Sequence, residues 1–228
     1  MIRSNVAEYR FREIVSRIGR GLGSVRELYS SSGGIMSDTP NRADAWGLLT
    51  EFTDNLSLIK HALGVEAAMR AYARSFGEDE EMWGTIGLVH DFDYQQNPTE
   101  ETHLHVGTGI LRERGWPEDW IQTVASHADY MGVPRDSQAA KALFAVDELS
   151  GFLTACALVR PDKAIAEVKV KSVKKKLKDK AFARGVNRDD VRRGVEEFGV
   201  DLDEHIAFVR DAMATIADDL ELPPREGA

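Results

Sequence analysis

The stretch Ile86-Gly87-Leu88-Val89-His90-Asp91-Phe92-Asp93-Tyr94 sets an apolar run directly against a histidine and two carboxylates. From Asp79 to Val89 the pattern predicts a helix leading straight into His90-Asp91, so both polar side chains fall at the end of a buried element. Upstream, Leu58, Ala62, Val65, Met69 and Tyr72 recur at threes and fours, the spacing of one face of a long helix, and Trp46, Leu48, Leu49 and Phe52 belong to a shorter one before it. Downstream, Asn97-Pro98 breaks the chain. A helix is predicted from about Glu100 to Arg114, stopped by Gly115-Trp116-Pro117. Further helices are predicted over Glu118 to Ser126, Ser137 to Val159 and Asp201 to Leu220, with a Lys-rich stretch between the last two. No segment alternates for long like a half-buried strand, and no internal repeat is visible. The fold class read from this pattern is all-α.

The 228 residues suffice for one well-buried domain. Residues 36–222 are expected to form it, as a helical bundle with a C-terminal helical extension, and Pro223-Pro224 opens a polar tail over 223–228. Residues 1–35 are Arg-rich and end in Ser30-Ser31-Ser32-Gly33-Gly34. Three readings of them stay open. Val6, Tyr9, Ile14 and Ile18 have the look of a docking helix; Met36 offers an alternative start, which would make 1–35 extraneous; and an Arg- and Ser-rich leader suggests a transit peptide, a reading weakened by Glu8, Glu13 and Glu27. Separated from the rest by the Gly and Ser stretch, this segment is expected to be dispensable for the chemistry.

Twenty-nine Lys and Arg against 38 Asp and Glu give a formal charge of -9, which disfavours general nucleic-acid binding or a coat on an anionic membrane. The one cysteine, Cys156, excludes an intramolecular disulfide framework and a cysteine-rich zinc site, and is expected in the core. With no apolar run of roughly 20 residues and no secretory signal, the expected location is the cytoplasm.

Five of the six histidines fall between His61 and His127, and Asp91 and Asp147 each follow an apolar run, Asp147 after Ala142-Leu143-Phe144-Ala145-Val146. A buried carboxylate needs a cation, a metal or several hydrogen bonds. Imidazole with carboxylate suits Mn, Fe, Co, Ni or Zn better than Mg or Ca. Taken singly, His61 on an apolar face reads as a core histidine, and His90-Asp91 is an ordinary dipeptide. His205, among Asp201, Asp203 and Glu204, is expected at the surface. Order and context together carry the signal.

In that order the chain resembles the HD superfamily of metal-dependent phosphohydrolases, whose pattern is H…HD…H…H…D. The resemblance runs through His61 in Leu58-Ile59-Lys60-His61, His90-Asp91, His103 with Gly107 four residues on, His127 in Val124-Ala125-Ser126-His127, and Asp147 in Ala145-Val146-Asp147-Glu148-Leu149. His105 and Gly109 share the third spacing. His103 and His105 lie about 200° apart on a helix, so only one can face a given ion; His103 is the choice. Where the signalling branch of that superfamily reads H-D-I-G-K, this chain has His90-Asp91-Phe92-Asp93-Tyr94, which weakens the case for cyclic dinucleotides. It is similar to a bacterial group of HD hydrolases with H-D-x-D-Y and a Lys-rich C-terminal segment.

The resemblance implies two divalent transition-metal ions, the first held by His61, His90 and Asp147, the second by His103 and His127, with Asp91 bridging. Such a pair generates a hydroxide nucleophile and neutralises charge on a phosphoryl group, so the implied function is hydrolysis of a small phosphorylated metabolite or nucleotide. Asp91, Asp93 and Tyr94 are the catalytic candidates, and His105 and Asp129 are further candidates around the ligands. In the Lys-rich stretch, Lys175, Lys178 and Arg188 are candidate contacts to substrate phosphate, weighed against a simply solvated helix face. Two other classes compete: an HD-type di-iron oxygenase, kept in view by Tyr94, and a nucleotide-binding sensor domain, for which six metal ligands are superfluous.

Overall fold

A computed structural model describes residues 39–223, and every regular element among them is helical. The helices are α1 (Arg42–Phe52), α2 (Leu56–Phe76), α3 (Glu80–Val89), α4 (His105–Glu113), α5 (Glu118–Ala125), α6 (Gln138–Leu158), α7 (Val170–Leu177), α8 (Arg188–Phe198) and α9 (Leu202–Ala214), with single 3₁₀ turns at Asp129–Met131 and Ile165–Glu167. Their starts are written in the sequence. Asn41, Asn55, Asp79, Ser137, Asn187 and Asp201 each accept a backbone N–H of the first helical turn, supplying the acceptor that a helix start lacks. No described helix is long and apolar enough to cross a membrane.

The two 21-residue helices α2 and α6 are the centre of the bundle. α3 packs along α2, α1 lies on α3, and α8 and α9 close the far side against α6. One glycine sets the last of these distances. A Cβ on Gly194 of α8 would stand 2.7 Å from Ala145 Cα, so only glycine lets α8 lie on the α6 backbone, two residues from Asp147. That contact sets the middle of α8 against the stretch of α6 that carries Asp147.

Three expectations need correction. The helix predicted from Glu100 begins only at His105; residues before it form turns, with Leu104 held at φ 60 by bonds described below. α8, with its own Asn187 cap and Gly199 stop at φ 74, falls within the stretch read only as Lys-rich. His205 is fully buried rather than exposed. The Asp201 cap fixes the first turn of α9 so that His205 turns inward, where its Nε2–H donates to Ala145 O (2.9 Å) and its Nδ1 accepts from the Tyr72 hydroxyl (2.6 Å). Burial holds its pKa below the ordinary value, so it is a neutral linchpin between α9, α6 and α2. Cys156 is buried, as expected. The readings of residues 1–35 and of most of the polar tail lie outside the described residues.

Candidate metal centre

The six candidate ligands arrive from five places in the chain: His61 from α2, His90 and Asp91 from the end of α3, His103 from the turns before α4, His127 just beyond α5, and Asp147 from α6. The fold converges them. His61, His90, Asp91 and Asp147 offer ligand atoms within 4.8 Å of one another, and Asp91, His103 and His127 form a second such group. Asp91 belongs to both. Its Oδ2 lies 3.5 Å from His90 Nε2, while its Oδ1 lies 3.1 Å from His103 Nε2 and 3.3 Å from His127 Nε2. Asp147 Oδ1 stands 2.9 Å from His61 Nε2 and 3.5 Å from His90 Nε2.

The far side of each ring fixes which nitrogen faces inward with a lone pair. His90 Nδ1 lies 2.8 Å from Gly87 O, and His127 Nδ1 lies 2.7 Å from Val124 O. A carbonyl only accepts, so these Nδ1 atoms carry hydrogen. His103 Nδ1 faces Asp93 Oδ1 at 3.0 Å, to the same effect. In their neutral forms all three rings therefore aim an unprotonated Nε2 at a carboxylate. Lone pair against lone pair is repulsive unless a cation lies between. The arrangement asks for protons or metal ions at these points, and three observations agree.

First, His90 Nε2 is fully buried without a hydrogen-bond partner. Second, the histidine pKa values rise. Burial pulls His103 down, but its bonds to Asp91 and Asp93 outweigh that and lift it to about 9. His90 and His127 are raised in the same way, against strong burial, by Asp91 and Asp147. Third, the carboxyls of Asp91 and Asp147 are held below the usual range, despite burial, by the histidines around them. Four imidazoles and two carboxylates are the donor set of a transition-metal site.

Asp93 is completely buried behind His103. Its Oδ2 accepts the N–H groups of Leu104 (3.1 Å) and Gly107 (3.0 Å), which explains the strained Leu104 backbone. A Cβ on Gly107 would lie 2.7 Å from Asp93 Cγ, so the glycine four residues after His103 is there to let this carboxylate approach. Asp93 holds and polarises a ring; it has no path to a substrate. His105 is exposed, belongs to neither group, and lies beside Tyr130.

A cleft of about 890 Å³ opens onto the centre, with Asp91, His103, His127 and Asp147 in its wall. Tyr94 and Tyr130 stand exposed at its mouth, the Tyr94 ring 5.1 Å from that of His103. The cap residue Asn187 and, from α8, Asp190 and Arg193 also line the cleft. Arg193 is the one Arg or Lys in that lining, bonded to Asp129 (2.6 and 3.1 Å). Arg193 and then Arg135 hold the Asp129 carboxyl down at about 2, so Asp129 orients a cation rather than moving protons. Glu148 also lines the cleft. Burial, Asp147 and Asp190 push its carboxyl up to about 7, and cations bound alongside would draw it back down.

The lysines are elsewhere. Lys175 on α7 and Lys178 just after it are exposed and line no part of this cleft. Arg188 is committed to the chain itself: its guanidinium donates to the carbonyls of Ala183 (3.1 Å), Val186 (2.7 Å), Asp179 (3.2 Å) and Phe182, closing the loop ahead of α8. The cleft cation, Arg193, and Glu148 escaped the sequence reading. The signal for Arg193 was its neighbour Gly194, a glycine inside a helical segment that marks a close approach.

Residues 58–151 match the family model described as HD domain, a span that includes all six converging ligands. No curated protein and no solved structure matched the chain.

Proposed function

We propose that this chain, which carries the domain of the HD metal-dependent hydrolases at residues 58–151, is a phosphohydrolase of a small phosphorylated metabolite or nucleotide, with two divalent transition-metal ions held by His61, His90, Asp91, His103, His127 and Asp147. The observation that carries the two-ion reading is the division of Asp91: one carboxylate oxygen faces His90 and the other faces His103 and His127. A single-ion site has no use for the second pair of histidines. His61, His90 and Asp147 form the first set and His103 and His127 the second, joined by Asp91. When bound, such ions lower the pKa of water toward neutrality and offset charge developing on a phosphoryl group.

The chain's own residues do the rest. Gly87 O, Val124 O and Asp93 fix three imidazole tautomers so that Nε2 points to the centre. Arg193, both of whose terminal nitrogens are held by Asp129, places a fixed positive charge on the α8 side of the cleft, and phosphate oxygens would engage it by sharing or displacing those carboxylate bonds. Tyr94 and Tyr130 border the opening and narrow the path of bulk water to the reacting phosphorus. Their rings offer apolar faces to the remainder of the substrate.

The test is turnover of simple phosphomonoesters and nucleotides by chain loaded with Mn or Fe, with and without oxygen. Hydrolysis that needs the metal, is abolished by a chelator and is indifferent to oxygen supports the reading. Turnover that requires oxygen would replace it with the oxygenase alternative, and nucleotide binding with no turnover under any metal would leave a sensor domain.

A further inference from the structure

A second groove, separate from the metal cleft, opens between the start of α3, α5 and the loop before α6, with a volume of about 600 Å³. Met82, Trp83, Val133 and Pro134 supply apolar surface to its lining. Phe76, 46 % exposed, extends that surface, its ring 6.2 Å from that of Trp83. The charged lining residues are Glu78, Asp119 and Asp136, all exposed, with no lysine or arginine among them. An apolar surface bordered only by acids suits a peptide that combines apolar and basic side chains.

The chain holds one such peptide outside the described residues. Residues 1–20 carry five arginines against two glutamates, and Val6, Tyr9, Ile14 and Ile18 recur within them at amphipathic spacing. The described chain begins beside the groove: the N–H of Arg42 donates to Glu81 Oε1 at 2.8 Å, and Glu81 adjoins Met82. The twenty residues from Gly19 to Asp38 can extend to roughly 65 Å, far more than the return requires. We infer that residues 6–18 dock in this groove of their own molecule, with apolar side chains on Met82, Trp83, Val133 and Pro134 and arginines toward Glu78, Asp119 and Asp136. The segment then serves as a strap over the α3–α5 junction. Tethering favours this occupant over a free partner, because the linker keeps its effective concentration high.

Hydrogen exchange on the full chain tests the inference, compared with two variants: Ile14→Asp/Ile18→Asp, which alters only the segment, and Asp119→Lys/Asp136→Lys, which reverses the border charge. Exchange within residues 6–18 should be slowed at least about tenfold relative to unstructured chain. That protection should be lost in the first variant and weakened in the second, with residues 133–140 exchanging faster in both and α2 unchanged. A photo-crosslinking residue in place of Tyr9 should then join residues 82–83 or 133–140 of the same chain. Unprotected exchange at 6–18 in the unaltered chain would overturn the inference. So would crosslinks between heavy and light chains in an isotope-mixed sample, which would assign the groove to a second copy.

Discussion

Replacing Asp93 by asparagine changes one atom type and should disable half of the metal centre. The Asp93 Oδ2 that accepts Leu104 and Gly107 N–H groups would become the amide oxygen, so both buried donors stay satisfied. The amide nitrogen then faces His103 Nδ1, where Asp93 Oδ1 stood 3.0 Å away. Two donors cannot face each other, so His103 must carry its hydrogen on Nε2 instead, aimed at Asp91 3.1 Å away. That nitrogen can no longer ligate. Outer-shell changes of this kind typically cost 10–100-fold in metal affinity, about 1.4–2.7 kcal/mol. Asp93→Ala differs in kind: it strands two buried N–H groups at about 1–3 kcal/mol each and should destabilise the fold as well. The assay is metal affinity by competition with a chelator, alongside urea unfolding of the metal-free proteins. An Asp93→Asn protein that keeps its unaltered affinity for both ions would refute the tautomer argument.

Other outcomes follow from the same geometry. Arg193→Ala should lower kcat/KM by roughly 10- to 100-fold, the loss of a charge-assisted bond of about 1.5–3 kcal/mol, whereas Lys175→Ala and Lys178→Ala should change it by less than about twofold, as exposed charges do; kinetics at low and moderate salt separate the two. His205→Ala should leave metal content intact and cost about 2–4 kcal/mol in urea unfolding, because the Tyr72 hydroxyl and Ala145 carbonyl lose their partner. The pH dependence has a definite sign. His103 is raised from 6.5 to about 9 in the metal-free chain, so its stabilising contribution is complete below pH 6.5 and is lost as pH rises through about 9. The metal-free protein should therefore melt at lower temperature at pH 9 than at 6.5, while apparent metal affinity climbs over the same window as competing protons leave.

The helical class was legible because the apolar residues of α2, α3 and α6 repeat at helical spacing and their starts carry Asn, Asp or Ser caps. Six candidate ligands were legible as an ordered set, and the structure brings those six side chains together. Sequence reading failed where neighbours distant in the chain decide. His205 sits among acids that signal surface, yet the partners that receive its ring are Tyr72 and Ala145, 133 and 60 residues away. A run of lysines suggested a phosphate site, but α7 turns Val173 and Leu177 inward and sends Lys175 and Lys178 to solvent. Arg193 reaches the cleft only because Gly194 lets α8 rest on α6; the lone glycine within a helical segment marks a close approach but not which backbone it meets.

In the proposed centre Asp91 serves two ions at once, and the number of ions bound per chain decides whether it does. Metal content per folded chain should be measured for the unaltered protein, Asp91→Ala, His103→Ala and His105→Ala after equilibration with Mn or Fe, with helicity confirmed in each. About two ions are expected for the unaltered protein and His105→Ala, about one for His103→Ala, and near-complete loss for Asp91→Ala, because a ligand common to both ions is removed. Two ions retained by Asp91→Ala, or a single ion in the unaltered protein that His103→Ala leaves in place, would contradict it.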